Sequence, residues 1–364
     1  LGGPIIVDNG LNFTILSISG VPSVFNTLNN TTQAGTHGTG GPGGSDGFDG
    51  SALGNSIFLR SGSSLTFMAP AVNDLLTLGD HVAFIDDTSF GLGGTNVFIK
   101  GNGTVVYNGT TDYQGTVQID NANFKVNGQI EEAPVSVCRN SSFSSQRGEL
   151  SGTGTLTGDV FVNSGTISPD PGETLTLGSL SLNSANPVAG SLGSLVQIEI
   201  NSAGTSLVAV TGAASLAGTL DIKLDPSAHP GTYTILTSSS ISGTFDTVTF
   251  SGATPRYTLI YGPTSVQLNF ISFSAIEIPA TVNGSPIVNP AVVCCGRPVI
   301  LGPLPVPGSG PTVYTVTNQT GNVTCQIGQT ATQTYLKMHG TNGSCTIVGT
   351  KDGVVSNPLT VIAP

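Results

Sequence analysis

The chain contains no tryptophan, only two methionines and few charges. Charged residues make up 9% of its 364 positions, against roughly 25% in soluble proteins at large. Long helices draw on Ala, Leu, Glu, Lys and Arg, and no run of them occurs, so extended helical architectures are excluded. No stretch approaches the ~18 uninterrupted apolar residues of a membrane-spanning helix, so no membrane insertion is expected of this chain. The deficit of base over acid, 10 Lys+Arg against 21 Asp+Glu, argues against nucleic acid and against anionic membranes as partners, since both need a basic face. The chain starts at Leu1 without Met, which reads as the trace of a removed leader.

What is present is glycine, 50 residues of it, with Ser, Thr and Asn doing the work of solvation. Between them run short apolar bursts: FTILSI (13–18), SLTFM (64–68), NVFIK (96–100), TVVY (104–107), TVQI (116–119), NFKV (123–126) and VSVC (135–138). Val117 and Ile119 point one way and Gln118 the other. This period of two marks strands with one buried face. A coil of short strands whose inward residues stack rung on rung accounts for the spacing. Antiparallel sandwiches alternate in the same way, and periodicity alone does not separate the two. The stretch GTHGTGGPGGSDGFDG (35–50) offers nothing to pack and reads as a Gly-rich surface loop.

Segment 100–130, KGNGTVVYNGTTDYQGTVQIDNANFKVNGQI, resembles the autotransporter-associated β-strand repeat. The repeat's Gly-x-Gly-Thr-Leu opening is met by Gly101–Val105, with Val105 in place of Leu. Its Asn-x-Tyr-x-Gly middle is met by Thr111–Gly115, with Thr111 in place of Asn. The stretches 150–182, 210–224, 231–250 and 256–270 resemble the following rungs and closing cap of autotransporter passenger domains. The resemblance implies an all-β chain whose residues 1–275 form a parallel, right-handed β-helix (a solenoid), secreted or held at a bacterial cell surface. Residues 276–364 change texture. They are Pro-rich, carry six or seven short strands, and resemble a small bacterial Ig-like β-sandwich.

Candidate sites are few. The acidic pairs Asp86–Asp87 and Glu131–Glu132 sit in turn-like contexts and read as solvated turns. Asp46 and Asp49, in GGSDGFDG, are weak calcium candidates, since carboxylates in Gly-rich turns suit a hard cation. Histidines 37, 81, 229 and 339 have neither zinc spacing nor a G-x-S-x-G elbow nearby, and no cofactor is expected. The five cysteines, Cys138, Cys294, Cys295, Cys325 and Cys345, lack paired metal spacing and read as disulfide formers. Pairing is open between Cys295–Cys325 and Cys325–Cys345. Cys294, which faces away from its neighbour on a strand, is a candidate for a bond to a second chain.

These features favour a structural protein over an enzyme: an extracellular filament or fibre subunit, self-associating head-to-tail through unpaired strands at its ends, the low-charge GGPIIVDNGLNFTILSI (2–18) and the C-terminal SNPLTVIAP. The alternatives are an adhesin binding host or matrix ligands and, third, a polysaccharide-degrading enzyme.

Overall fold

The structure, a computed structural model, describes residues 5–27, 56–87, 94–139, 147–186, 192–202, 204–225, 227–251, 255–273, 278–293, 297–304, 311–351 and 354–364. Every helix or strand among them is a strand. The chain divides into two compact units. One comprises Leu1–Lys223, Thr232–Thr249 and Leu259–Leu268; the other comprises Leu224–Gly231, Phe250–Thr258 and Asn269–Pro364.

The first unit is a parallel β-helix. Its turns are successive triplets of short strands, such as Thr116–Asp120, Asn123–Val126 and Gln129–Glu132. Each strand pairs in parallel with its counterpart in the neighbouring turns. Val117 lies between Val97 and Val135, Phe124 between Val105 and Leu150, and Ile130 between Thr111 and Leu156. On the first wall, Thr155–Asn163 runs through the corner without a break and pairs with both Gln129–Glu132 and Val135–Cys138. This joins two walls into one sheet.

Alternation puts one residue in two inside. Leu65, Phe67, Val97, Ile99, Val117 and Ile119 are all fully buried. The interior holds a ladder of aromatic rings. Phe84 lies 5.9 Å from Phe67, 5.5 Å from Tyr107 and 5.2 Å from Tyr113, within the ~4.5–7 Å range of favourable ring pairs. Burial of a phenol is tolerable only with a partner for its hydroxyl. Tyr107 Oη donates to Val82 O at 3.0 Å, and Tyr113 Oη donates to Thr95 Oγ1 at 3.2 Å. Burial pushes both phenols above their ordinary pKa.

Stacking also explains why Asn-Gly recurs at 108–109 and 127–128. Asn108-Gly109 and Asn127-Gly128 occupy the same corner in successive turns. Asn127 Nδ2 donates to Asn108 Oδ1 at 3.0 Å. A Cβ on Gly128 would lie 1.8 Å from Gly109 O, so backbone rests on backbone and no side chain fits. On the outer walls, neutral polar pairs link neighbouring turns: Thr116 with Asn96 (2.6 Å) and Ser151 with Asn123 (2.7 Å). Such ladders solvate the wall without charge, which accounts for the composition.

The second unit is a mainly antiparallel β-structure around its own core. A long hairpin, Val313–Gln329 with Thr334–Lys351, dominates it, interrupted by register shifts between Val316 and Asn318 and between Gly321 and Asn322. Val299, Leu336, Cys345, Ile347 and Val361 are its fully buried centre. Tyr314 Oη donates to Gly302 O, and burial raises that phenol to about 12.

Candidate functional site

A strand inside a sheet satisfies its backbone on both edges; a terminal strand leaves one edge open to another chain. The first turn of the coil consists of Ile5–Val7, Asn12–Leu16 and Ser23–Phe25, and each of the three is the last strand of its sheet. Each pairs on one side only, with Ile57–Leu59, Ser64–Met68 and Leu76–Leu78 respectively, among the described residues. The outer wall of this turn carries exposed apolar side chains beside Asn12 and Thr14. Ile6 is 61% exposed, Leu16 57%, Ile18 67% and Val24 71%. One turn further along, the residue beside Val24 is Thr77 and the residue beside Leu16 is the half-buried Met68.

This open turn is anchored to the next by Asp74, which is itself buried. Its Oδ1 accepts the Gly20 amide at 2.9 Å and its Oδ2 accepts the Ala71 amide at 2.9 Å. The Gly20 amide, then the Ala71 amide, hold its carboxyl below the ordinary carboxylate range. At the far end of the coil, Ser240–Gly243 pairs with Ala213–Leu216 and its Ile241 amide donates to Pro263 O at 2.9 Å, while Thr247–Ser251 ends its sheet, among the described residues.

On the outer face of the wall that carries Asn123–Val126, Leu195–Asn201 and Thr219–Leu224, the acids and bases are largely tied to one another. Lys125 Nζ meets Asp170 Oδ2 at 2.6 Å, and Lys223 Nζ meets Glu199 Oε2 at 2.7 Å. Asp221 accepts Thr249 Oγ1 at 2.7 Å. Burial, and secondarily the charge of Asp170, push the Glu149 carboxyl up, against a hydrogen bond from Ser168. Such pairs brace neighbouring turns. Among the described residues no group of three or more His, Cys, Asp or Glu is arranged to hold a metal ion.

The cysteines separate by environment. Cys325 and Cys345 are joined in a disulfide. Cys138 is a free, half-buried thiol at the end of Val135–Cys138. Burial, then the charge of Asp120, raise its pKa, so it is a weak nucleophile at neutral pH. Cys294 and Cys295, the calcium candidates Asp46 and Asp49, and the Gly-rich stretch 35–50 lie outside the described residues.

Two expectations are corrected. Asp86 and Asp87 do not form a solvated turn, for both are buried. Asp86 falls on the inward phase of Phe84–Asp86 and accepts Thr95 Oγ1 at 2.5 Å, while Asp87 Oδ2 accepts the Ser61 amide at 3.1 Å. Nor is the C-terminal strand a free edge. Leu359–Ala363 lies between Thr334–Lys351 and Ala291–Val292 and is paired on both sides. The sequence reading missed the exposed apolar side chains on the outer wall of the first turn. Its signal was there: Ile6, Leu16 and Val24 are apolar on the outward phase of their strands, and Val24 stands where the next turn has Thr77.

No protein-family model matches the chain, and no curated protein matches it. Its class rests on its fold, a parallel β-helix followed by a small antiparallel β-unit.

Proposed function

We propose that the chain is a structural subunit of an extracellular filament, in which strands of one copy cover the open first turn of the next. The observation that carries this reading is that first turn, with three sheet-terminal strands and exposed apolar side chains on its outer wall. Added strands would satisfy the open amides and carbonyls and cover the open flank of Ile6, Leu16 and Val24, as Phe58, Met68 and Thr77 are covered one turn further along. Contact between unlike ends is heterologous, and where it does not close into a ring it propagates as a filament. The sheet-terminal strand Thr247–Ser251 supplies the opposite edge, in place of the C-terminal strand. The Cys325–Cys345 disulfide supports an oxidising, extracellular location. In this reading the coil is an autotransporter-passenger-like shaft and the second unit an Ig-like module. The parallel stacking of the Asn-Gly corners supports the first likeness, and the disulfide-pinned antiparallel core supports the second.

Negative-stain microscopy and sedimentation of the native chain over a range of concentrations test the proposal. Filaments or end-to-end oligomers are expected, and Ile6→Lys with Val24→Lys should abolish them while leaving the far-ultraviolet circular dichroism unchanged. Dispersed monomers at every concentration would overturn it.

A further inference from the structure

On the wall of the coil built from Ser64–Ala69, Asn96–Gly101 and Thr116–Asp120, three consecutive turns bring unlike side chains into one line. Met68, Lys100 and Asp120 are in register at the ends of Ser64–Ala69, Asn96–Gly101 and Thr116–Asp120. All three point outward, since alternation puts Phe67, Ile99 and Ile119 inside. Parallel strands set such neighbours ~4.8 Å apart. Immediately past them the chain turns the corner, and Pro70, Asn102 and Asn121 form the second side of a recess of about 300 Å³. The corner is tight. A Cβ on Gly101 would lie 1.9 Å from Ala69 O, and Asn121 sits at φ 60° in a bridge with Lys100.

The chemistry of the recess is asymmetric. Met68 and Pro70 give it an apolar floor. The Lys100 ammonium lies over the Phe98 ring, 4.2 Å from its centroid. Among the described residues no carboxylate oxygen lies within ion-pair distance of it, so its charge is open to an incoming anion. Asp120 is only 7% exposed. Gln118 Nε2 donates to both of its oxygens, at 2.9 and 3.1 Å, which fixes the carboxylate in place. Each of those oxygens retains a lone pair for a hydroxyl donor. Asn102 and Asn121 bring two side-chain amides to the same mouth.

A ligand matched to this set carries one negative charge, several hydroxyls and an apolar face, in a volume near one six-membered ring. A phosphate dianion is disfavoured by the fixed Asp120 charge beside the single cation. A neutral sugar leaves Lys100 unused. We propose that the recess binds a hexuronate ring, a sugar bearing a carboxylate. Lys100 pairs with that carboxylate, Asp120 accepts ring hydroxyls, and Met68 and Pro70 lie against the apolar face of the ring. The ring can come from a free uronide or from a residue within an acidic polysaccharide. This site is independent of self-assembly, because it lies on the wall of the coil and not at its first turn.

Titration calorimetry of the full chain with methyl glucuronide, methyl glucoside and a short glucuronate-containing oligosaccharide tests the inference. The glucuronide is expected to bind about tenfold or more tightly than the glucoside, a charge-assisted contact being the difference, and to weaken as salt is raised. Lys100→Gln should remove that preference and Lys100→Arg should keep it, both with an unchanged thermal midpoint. Asp120→Asn should weaken both sugars. Tighter binding of the oligosaccharide than of the monosaccharide identifies a polymer as the source, and equal binding identifies the free sugar. Equal affinity for glucuronide and glucoside, a Lys100→Gln variant that still discriminates, or no binding of either sugar at millimolar concentration would each overturn the proposal.

Discussion

Cys325 and Cys345 lie with their Cα atoms 6.1 Å apart, although neither is the other's partner in the hairpin ladder. Cys325 stands opposite Met338 and Cys345 opposite Gln319. Six positions separate Cys325 from Gln319, which in a straight strand is about 20 Å. The hairpin must therefore fold over on itself. The register shifts around Asn318 and Asn322 are where it bends, as bulges do. The disulfide pins one half of the folded hairpin to the other, so that Leu336 and Ile347, from the two halves, share a core.

Reducing this bond should destabilise the second unit selectively. Cross-linking a loop of this size, 20 residues apart in sequence, contributes about 3 kcal/mol in the chain-entropy account. Calorimetry of the Cys325→Ser, Cys345→Ser double variant should show one unfolding transition lowered and another, belonging to the coil, unmoved.

Asp74 should make the docking of the first turn acid-sensitive. Its carboxyl is held below the ordinary range by the Gly20 and Ala71 amides. A depressed acid stabilises the fold above its unfolded pKa of about 4, and that stabilisation is lost as pH falls through the lower folded value. Asp74→Ala should lower the thermal midpoint at pH 7, and its difference from the parent chain should shrink below about pH 4. Hydrogen exchange at the Gly20 amide should quicken in the variant.

The aromatic ladder should carry much of the stability of the coil around it. Phe84 touches three other rings and is fully buried, so Phe84→Ala should cost about 3–5 kcal/mol in denaturant unfolding. Tyr107→Phe leaves the packing and removes only the hydroxyl that serves Val82 O. It should cost about 1–3 kcal/mol, the penalty for leaving a buried carbonyl unserved.

Gly128→Ala tests the corner stack. With Gly109 O 1.8 Å from where the new methyl would be, the two turns must part. The variant should be far less stable than an alanine placed at the exposed Asp112 on the neighbouring strand, and comparison of their denaturant midpoints measures this.

Much of the coil could be read from the residues, because its signal is local. Period two in TVQID and NFKV placed Val117, Ile119, Phe124 and Val126 inside, and they are buried. The Asn108-Gly109 and Asn127-Gly128 pairs sit at corners because only glycine fits there. What resisted reading depends on register between turns, which is irregular. Val97, Val117 and Val135 stack on one wall, while Phe124 stacks on the more distant Leu150 of another. With such uneven steps, the line through Met68, Lys100 and Asp120 is invisible until the turns are superposed. Asp86 was misplaced for a related reason: its charge suggested water, but its phase on the strand put it inside, where Thr95 serves it. The folded hairpin was hidden too, since Cys325 and Cys345 meet across a bend and not along a strand.

The ladders of the coil have a mechanical consequence. In a parallel stack the backbone hydrogen bonds run from layer to layer, along the direction in which the layers accumulate. A pull in that direction loads the bonds of all the walls of a layer together, so they share the force and do not open singly. Such a stack would resist extension strongly and fail abruptly, one layer at a time, a behaviour suited to a tether under load.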